Sequence, residues 1–220
     1  MVTNPPFSLF REYVNQLVDY NKLFVIIGSM NAITYKEIFP LIKNNKLWLG
    51  NGFHAGNAYF YTPNTREFAS GVFDEKTGLV KFRNVCWFTN LDHGRRHQPL
   101  PLMTMEENLK FSKHKNIKGK KKYDEYDNYD AIEVPFTDAI PSDYEGAMGV
   151  PISFLDKYNP DQFEILGITD RDNNSGLKTK EYTEKDVQNP GDLNRRGAIK
   201  IGSEYKSTYA RLLIRRKPRV

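Results

Sequence analysis

The sequence predicts an α/β fold in two parts: a doubly wound sheet over residues 1–100 and an irregular α+β region over 101–220. Three observations predict it. The apolar run Leu23-Phe24-Val25-Ile26-Ile27 stops at Gly28 and lies between two stretches with apolar residues at helical spacing, the rhythm of helices alternating with strands buried on both faces of a parallel sheet. After about residue 100 that rhythm fades. Strand-like runs then return only at 163–168 and 209–214, with Lys-, Tyr- and Asp-rich chain before them.

The elements follow in order. Ser8 can cap a helix that runs to about residue 20, with Leu9, Phe10, Tyr13, Val14, Leu17 and Val18 on the 3.6-residue period. The run 23–27 is the first buried strand. Thr34 opens a second amphipathic helix carrying Ile38, Phe39, Leu41 and Ile42, and 46–50 reads as a strand. Between Gly50 and Gly71 the chain is rich in Gly, Asn and aromatic residues, which suggests a loop with short strands. Residues 82–91 form a strong strand, with 71–81 as a hairpin partner. The stretch 113–130 is expected to be exposed. No internal repeat is visible.

Composition narrows the function classes. With 39% hydrophobic and 13% aromatic residues over 220 positions the chain can bury a real core. A net charge of +5 and a sequence pI near 9.1 suit a polyanionic partner without specifying one. Cys86 is the only cysteine; no intrachain disulfide can form, and its apolar setting predicts a buried thiol. There is no signal-peptide pattern and no apolar run near the ~20 residues that span a bilayer. A reducing, cytoplasmic setting without membrane contact is the expectation.

Asn4-Pro5-Pro6-Phe7 carries the chemistry. An exocyclic amine on an aromatic ring, such as adenine's, is a poor nucleophile because its lone pair is delocalised. Two acceptors that bind both amine protons favour the tetrahedral, positive nitrogen that develops during attack. The Asn4 side-chain oxygen and the Pro5 carbonyl are such a pair. Two prolines stiffen the turn and keep its carbonyls aimed, and Phe7 offers a flat face to a base rotated out of a duplex. Read blandly, the same four residues are a proline-stopped turn before a helix. Motifs of this kind also serve methylation of RNA or of protein glutamine.

The surrounding segment, Thr3-Asn4-Pro5-Pro6-Phe7-Ser8-Leu9-Phe10-Arg11-Glu12-Tyr13, closely resembles the motif region of the EcoRI-type adenine-specific modification methylases. The resemblance continues through Ile33-Thr34-Tyr35-Lys36-Glu37, Trp87-Phe88-Thr89-Asn90-Leu91-Asp92 and Tyr126-Asp127-Asn128-Tyr129-Asp130-Ala131-Ile132. It resumes at Met148-Gly149-Val150-Pro151-Ile152-Ser153-Phe154-Leu155, Tyr158-Asn159-Pro160-Asp161-Gln162-Phe163-Glu164 and Tyr209-Ala210-Arg211-Leu212-Leu213-Ile214-Arg215. It implies part of a class I, Rossmann-like methyltransferase sheet in residues 1–100 and a DNA target-recognition region in 101–220. It implies methyl transfer from S-adenosyl-methionine to an adenine amine in a specific site of double-stranded DNA, by base flipping, as in restriction-modification systems. Asn4, Pro5, Pro6 and Phe7 are the positions to which catalytic roles carry over.

In the resembling family the tetrapeptide lies mid-chain, after a long segment that holds the donor loop. The expectation is therefore a truncated chain, inactive alone, whose donor-binding half is supplied by a separate N-terminal segment; cofactor-binding residues within these 220 are unassigned. A non-catalytic DNA-binding remnant is the competing class. Gly50-Asn51-Gly52-Phe53-His54-Ala55-Gly56 is glycine-rich but lacks a following helical pattern and a suitable acidic residue, so it is not read as a donor loop.

Basic residues supply the DNA-contact expectations. Residues 113–122 hold six lysines, and Lys115, Lys118, Lys120, Lys121 and Lys122 are placed on phosphates with Arg95 and Arg96; the alternative is a solvated loop whose charge Asp124, Glu125, Asp127 and Asp130 offset. The basic tail of Arg211, Arg215, Arg216, Lys217 and Arg219 reads as solubilising. His93 and His97 have i, i+4 spacing, but Gly94 opposes a helix and no metal is assigned. Asp170, Asp172, Asn174 and Glu181 imitate a calcium loop whose glycine falls one place late; a turn is preferred.

Overall fold

The computed structural model describes residues 1–50, 57–63, 68, 70–170 and 176–218. The chain divides into two compact units, Met1–His93 and Gly94–Val220. Among the described residues no helix is long and apolar enough to cross a membrane.

In the first unit β1 (Val2–Thr3) pairs in parallel with β2 (Val25–Ser29), with Thr3 opposite Ile26. Helix α1 (Phe10–Asp19) lies between them in sequence, and a short 3-10 turn, Phe7–Leu9, precedes it. The 3.6-residue period holds, since Phe10, Val14 and Leu17 are buried. Ser8 is not the cap, however: Leu9 occupies that place and no side chain caps the helix. The helix stops where Asn21 turns left-handed (φ 51°), its N–H reaching Val18 O while Lys22 N–H reaches Leu17 O at 2.8 Å, a Schellman ending built on Asn.

The second helix is shorter than its pattern predicts. Ser29, rather than Thr34, caps a 3-10 segment over Met30–Thr34, and α2 covers only Phe39–Lys43. It ends like α1, with Asn45 at φ 53° and Lys46 N–H on Leu41 O. The strand expected at 46–50 is β3 (Trp48–Leu49).

The predicted strand over 82–91 is two strands in different sheets. Asn84, at φ 58°, turns the chain between β6 (Leu79–Arg83) and β7 (Val85–Thr89), a left-handed conformation that Asn tolerates and a continuous strand does not. β6 joins a three-stranded antiparallel sheet with β4 (Asn57–Phe60) and β5 (Phe73–Asp74), so the hairpin partner predicted at 71–81 pairs with its own later half. β7 sits between β2 and β3, antiparallel to both; β1, β2 and β3 therefore run the same way. The sheet is mixed rather than all-parallel, and β2 alternates between buried and half-buried residues instead of being covered throughout. Gly28 is required there: a Cβ would overlap the Phe10 ring, which meets Phe88 edge-on at 5.0 Å. Cys86 is buried on β7.

The second unit is built on the sheet β10 (Phe163–Ile168), β13 (Arg211–Arg216), β9 (Met148–Pro151), β8 (Ile132–Glu133), in that order. Among the described residues of this sheet, only β8 and β9 pair in parallel. The basic tail is thus mostly an interior strand, with Leu212, Leu213 and Ile214 buried in the core beside Phe154, Phe163 and Val150. α3 (Met105–Phe111) opens on a capping box between Thr104 and Glu107. α4 (Pro190–Arg195) precedes the hairpin of β11 (Ala198–Ile201) and β12 (Glu204–Ser207). The stretch expected to be exposed over 113–130 is partly interior: Ile117, Tyr123, Tyr126, Asn128 and Tyr129 are buried.

Candidate functional site

In the first unit the fold brings Asn4 to Phe7 to the carboxyl end of β1, beside the carboxyl end of β2. That edge of an α/β sheet is where loops gather and ligands bind. Pro5 is buried and anchors the turn, while Asn4, Pro6 and Phe7 are exposed. The Pro6 carbonyl is taken by Leu9 N–H at 3.0 Å. Among the described residues, neither the Asn4 carboxamide nor the Pro5 carbonyl has a hydrogen-bond partner. Phe7, 40% exposed, stacks on no other ring among them. Two acceptors and a flat face are left open at one strand end, a set that can receive an amine with two N–H bonds.

The opposite end of the sheet explains a second sequence segment. Thr89 Oγ1 donates to Phe24 O at 2.6 Å, Asn90 Oδ1 accepts from Phe24 N–H at 3.0 Å, and Trp48 Nε1–H reaches Leu91 O at 2.8 Å. Trp87 to Asp92 therefore lock the amino end of β2 and leave its carboxyl end to the motif. Arg11 and Glu37, 3.9 Å apart, join α1 to the 35–38 turn, and Arg11 lies 5.6 Å from the Tyr35 ring centre. One oxygen of Glu37 is enclosed and unpaired among the described residues.

The edge does not fit a methyl donor equally well. Gly28, Ser29, Met30 and Asn31 close β2 without a carboxylate to hold a ribose, and Ser29 Oγ is engaged by Asn31 N–H at 3.2 Å. The glycine-rich 50–56 segment, apart from Gly50, lies outside the described residues, as do 171–175 of the calcium-like loop; of that loop's ends, Asp170 pairs with Arg196 at 2.6 Å and Glu181 with Lys178 at 2.8 Å.

In the second unit the lysine-rich turn is an ordered projection. Lys113 Nζ and the His114 ring each meet Asp138 at 2.7 Å, His114 stacks on Phe136, and Gly119 N–H donates to Leu109 O. Burial works to raise the Asp138 carboxyl, but the bonds from Lys113 and His114 hold it below its ordinary range. Lys120 and Lys122 are paired with Asp124 (2.5 Å) and Glu125 (2.9 Å). Lys115, Lys118 and Lys121 are exposed and, among the described residues, carry no ion pair. Arg95 bonds Asp156 at 3.1 Å, and Arg96 is an interior residue, 8% exposed; it is removed from the set of phosphate contacts because a phosphate cannot reach it there. His93 is committed to Leu49 O and His97 to Asp161.

Sequence reading missed a buried polar network below this surface. The Tyr126 hydroxyl donates to Glu133, whose carboxylate receives Arg211 Nε and Nη2 at 3.0 and 2.8 Å. Burial and then Glu133 push the Tyr126 hydroxyl well up from its ordinary value. Asn128, fully buried, donates to Leu193 O and Arg196 O and accepts from Ala198 N–H. Periodicity does not reveal these partners; the segment Tyr126 to Ile132, singled out only by resemblance, was the available signal.

A strand-end Asn-Pro-Pro-Phe with open acceptors, followed by a helix, is the arrangement that the resemblance to the modification methylases implies. The chain belongs to the EcoRI family of adenine-specific methyltransferases: the family model described as "Adenine-specific methyltransferase EcoRI" matches residues 1–217. It is 45% identical over 179 residues to the type II methyltransferase M.EcoRI of Escherichia coli, covering 78% of this chain and 52% of that protein. It is also 39% identical over 175 residues to M.MgeORF184P of Mycoplasma genitalium and 36% over 170 to M.MpnI of Mycoplasma pneumoniae, each covering 76% of this chain and 50% of the relative. The chain thus spans about half the length of the curated relatives it matches. No solved structure matches it.

Proposed function

We propose that this chain supplies the methyl-acceptor site and the DNA-recognition surface of a site-specific DNA adenine methyltransferase. The unpartnered Asn4 carboxamide and Pro5 carbonyl at the carboxyl end of β1 carry this reading. They bind the two protons of an adenine amine as its nitrogen turns tetrahedral, and Phe7 stacks on the extruded base. No covalent intermediate is required. The family implies S-adenosyl-methionine as methyl source.

A class I, Rossmann-like sheet is the finer fold reading. β1, β2 and β3 run the same way with α1 and the 30–43 helical segments between them, which supports it. For the second unit we propose duplex binding through Lys115, Lys118 and Lys121, with Lys120, Lys122 and Arg95 exchanging their carboxylates for phosphates.

The test is methyl transfer from labelled donor to duplex DNA by a chimaera in which this chain replaces the matching half of M.EcoRI. Asn4→Ala is expected to lower the rate about 10²-fold or more, as loss of one preorganised hydrogen-bonding group does elsewhere. An unchanged rate overturns the proposal. Transfer to RNA or to a glutamine peptide in place of DNA redirects it to those substrates.

A further inference from the structure

The second unit has a cleft of about 740 Å³ to which no role has been given, and its lining is two-sided. One wall is apolar, from Pro99 to Leu102. The other is the end of β13, where Arg216 and Lys217 stand. The Gln162 side chain ties the walls together: its amide donates to Leu100 O (2.9 Å) and accepts Leu100 N–H (2.7 Å), while Gln162 O accepts Lys217 N–H (2.9 Å). That side chain is structural.

Three of the remaining polar residues, Arg216, Lys217 and Asn159, carry unmet donors. Arg216 is partly buried, its Nε is enclosed without a partner, and it makes no ion pair among the described residues. Such a guanidinium is costly unless something meets it. Lys217 is exposed and equally unpaired among them. Asn159 is 3% exposed; its Oδ1 accepts Asp161 N–H, which leaves its Nδ2 donor without a partner among the described residues. The one carboxylate lining the cleft, Asp161, is taken by His97 Nδ1 at 3.1 Å. Donors and positive charge beside an apolar wall fit a phosphate with a sugar or base next to it.

A neighbouring cleft of about 440 Å³ shares Pro101 and Leu102 and continues to Lys113 and His114, at the root of the lysine-rich turn. That second cleft is also lined by Asp138, which takes both Lys113 and His114, so the unpaired positive lining belongs to the first cleft.

We propose that the cleft between residues 99–102, the 159–162 turn and Arg216–Lys217 holds a backbone phosphate of bound duplex DNA, with Arg216 and Lys217 as charge partners and Asn159 as the neutral donor. The inference rests on the reading that this chain binds DNA and extends it to a surface that the sequence marked as a solubilising tail.

Fluorescence anisotropy of a labelled duplex across a salt series tests it on the full chain, with Arg216→Gln, Lys217→Gln and, as a control of equal charge change, Lys206→Gln on the exposed β12 strand. Lys217 is exposed and its variant is expected to fold; melting curves report whether Arg216→Gln does. Each cleft variant is expected to weaken binding about tenfold, alike for all duplex sequences, and to reduce the slope of log K against log salt by about 0.9. Lys206→Gln leaves both unchanged. If the unaltered chain binds duplex but both cleft variants match it in affinity and slope, the cleft assignment falls while the DNA reading stands. If the unaltered chain binds no duplex, both fall. Deoxyadenosine monophosphate binding as tightly as duplex would reassign the cleft to a free nucleotide and overturn the backbone-phosphate assignment.

Discussion

Individual residues in this protein are best understood by asking where their hydrogen bonds go. Asn4 and Asn128 are chemically the same side chain in opposite situations. Asn128 is fully buried and saturated by Leu193 O, Arg196 O and Ala198 N–H; Asn4 is exposed and unspent. The first organises the interior, and the second is available to a substrate. Glu133 and Arg211 show the cost of an interior charge. With side chains 6% and 12% exposed, each depends on the other for compensation. Arg211→Leu is expected to destabilise the protein by about 3 kcal/mol or more because it leaves the buried Glu133 carboxylate without its counter-charge. The double variant Arg211→Leu/Glu133→Leu should recover part of that loss, the remainder reflecting the stranded Tyr126 hydroxyl. Urea denaturation curves check both, and a single variant that unfolds like the parent would show that the pair carries no stability.

At the scale of elements, the lysine-rich turn illustrates how a charged segment can be ordered. Asp138 receives Lys113 and His114, and the turn closes on Leu109 O through Gly119 N–H. Because the Asp138 carboxyl is held below its ordinary value in the folded protein, its contribution is fully present above the unfolded carboxylate value of about 3.9 and is lost as pH falls through the lower folded one. Hydrogen exchange at the Lys118 and Gly119 amides should therefore stay protected from neutral pH to about pH 4 and lose protection below it. Asp138→Asn should lose that protection at neutral pH, while helix α3 keeps its own. Protection unchanged in the variant would mean that the ion pairs do not order the turn.

For the molecule as a whole, each unit carries its own core: Phe10, Ile26 and Phe88 in the first, Val150, Phe154, Phe163 and Ile214 in the second. We propose that the boundary separates an acceptor-site unit from a recognition unit. Residues 94–220 produced alone should then unfold cooperatively and bind duplex DNA with a measurable salt dependence. A fragment that is collapsed and non-cooperative would show that the second core needs the rest of the chain.

The sequence by itself determined what depends on neighbours along the chain. The buried face of α1, the strand Phe163–Ile168, the stiff turn Asn4-Pro5-Pro6-Phe7 and the family were all legible, because periodicity, proline geometry and a long ordered match are local properties. The tertiary structure alone decided where distant polar groups meet. It split 79–89 at Asn84, turned the basic tail into interior strand β13, and buried Arg96, Tyr126 and Tyr129. It also distinguished the three unpaired lysines of the turn from their paired neighbours. The reason is physical: Glu133 finds Arg211 across 78 positions and Leu100 finds Gln162 across 62. A side chain's charge is written in the sequence, whereas the group that answers it is fixed only when the sheets close.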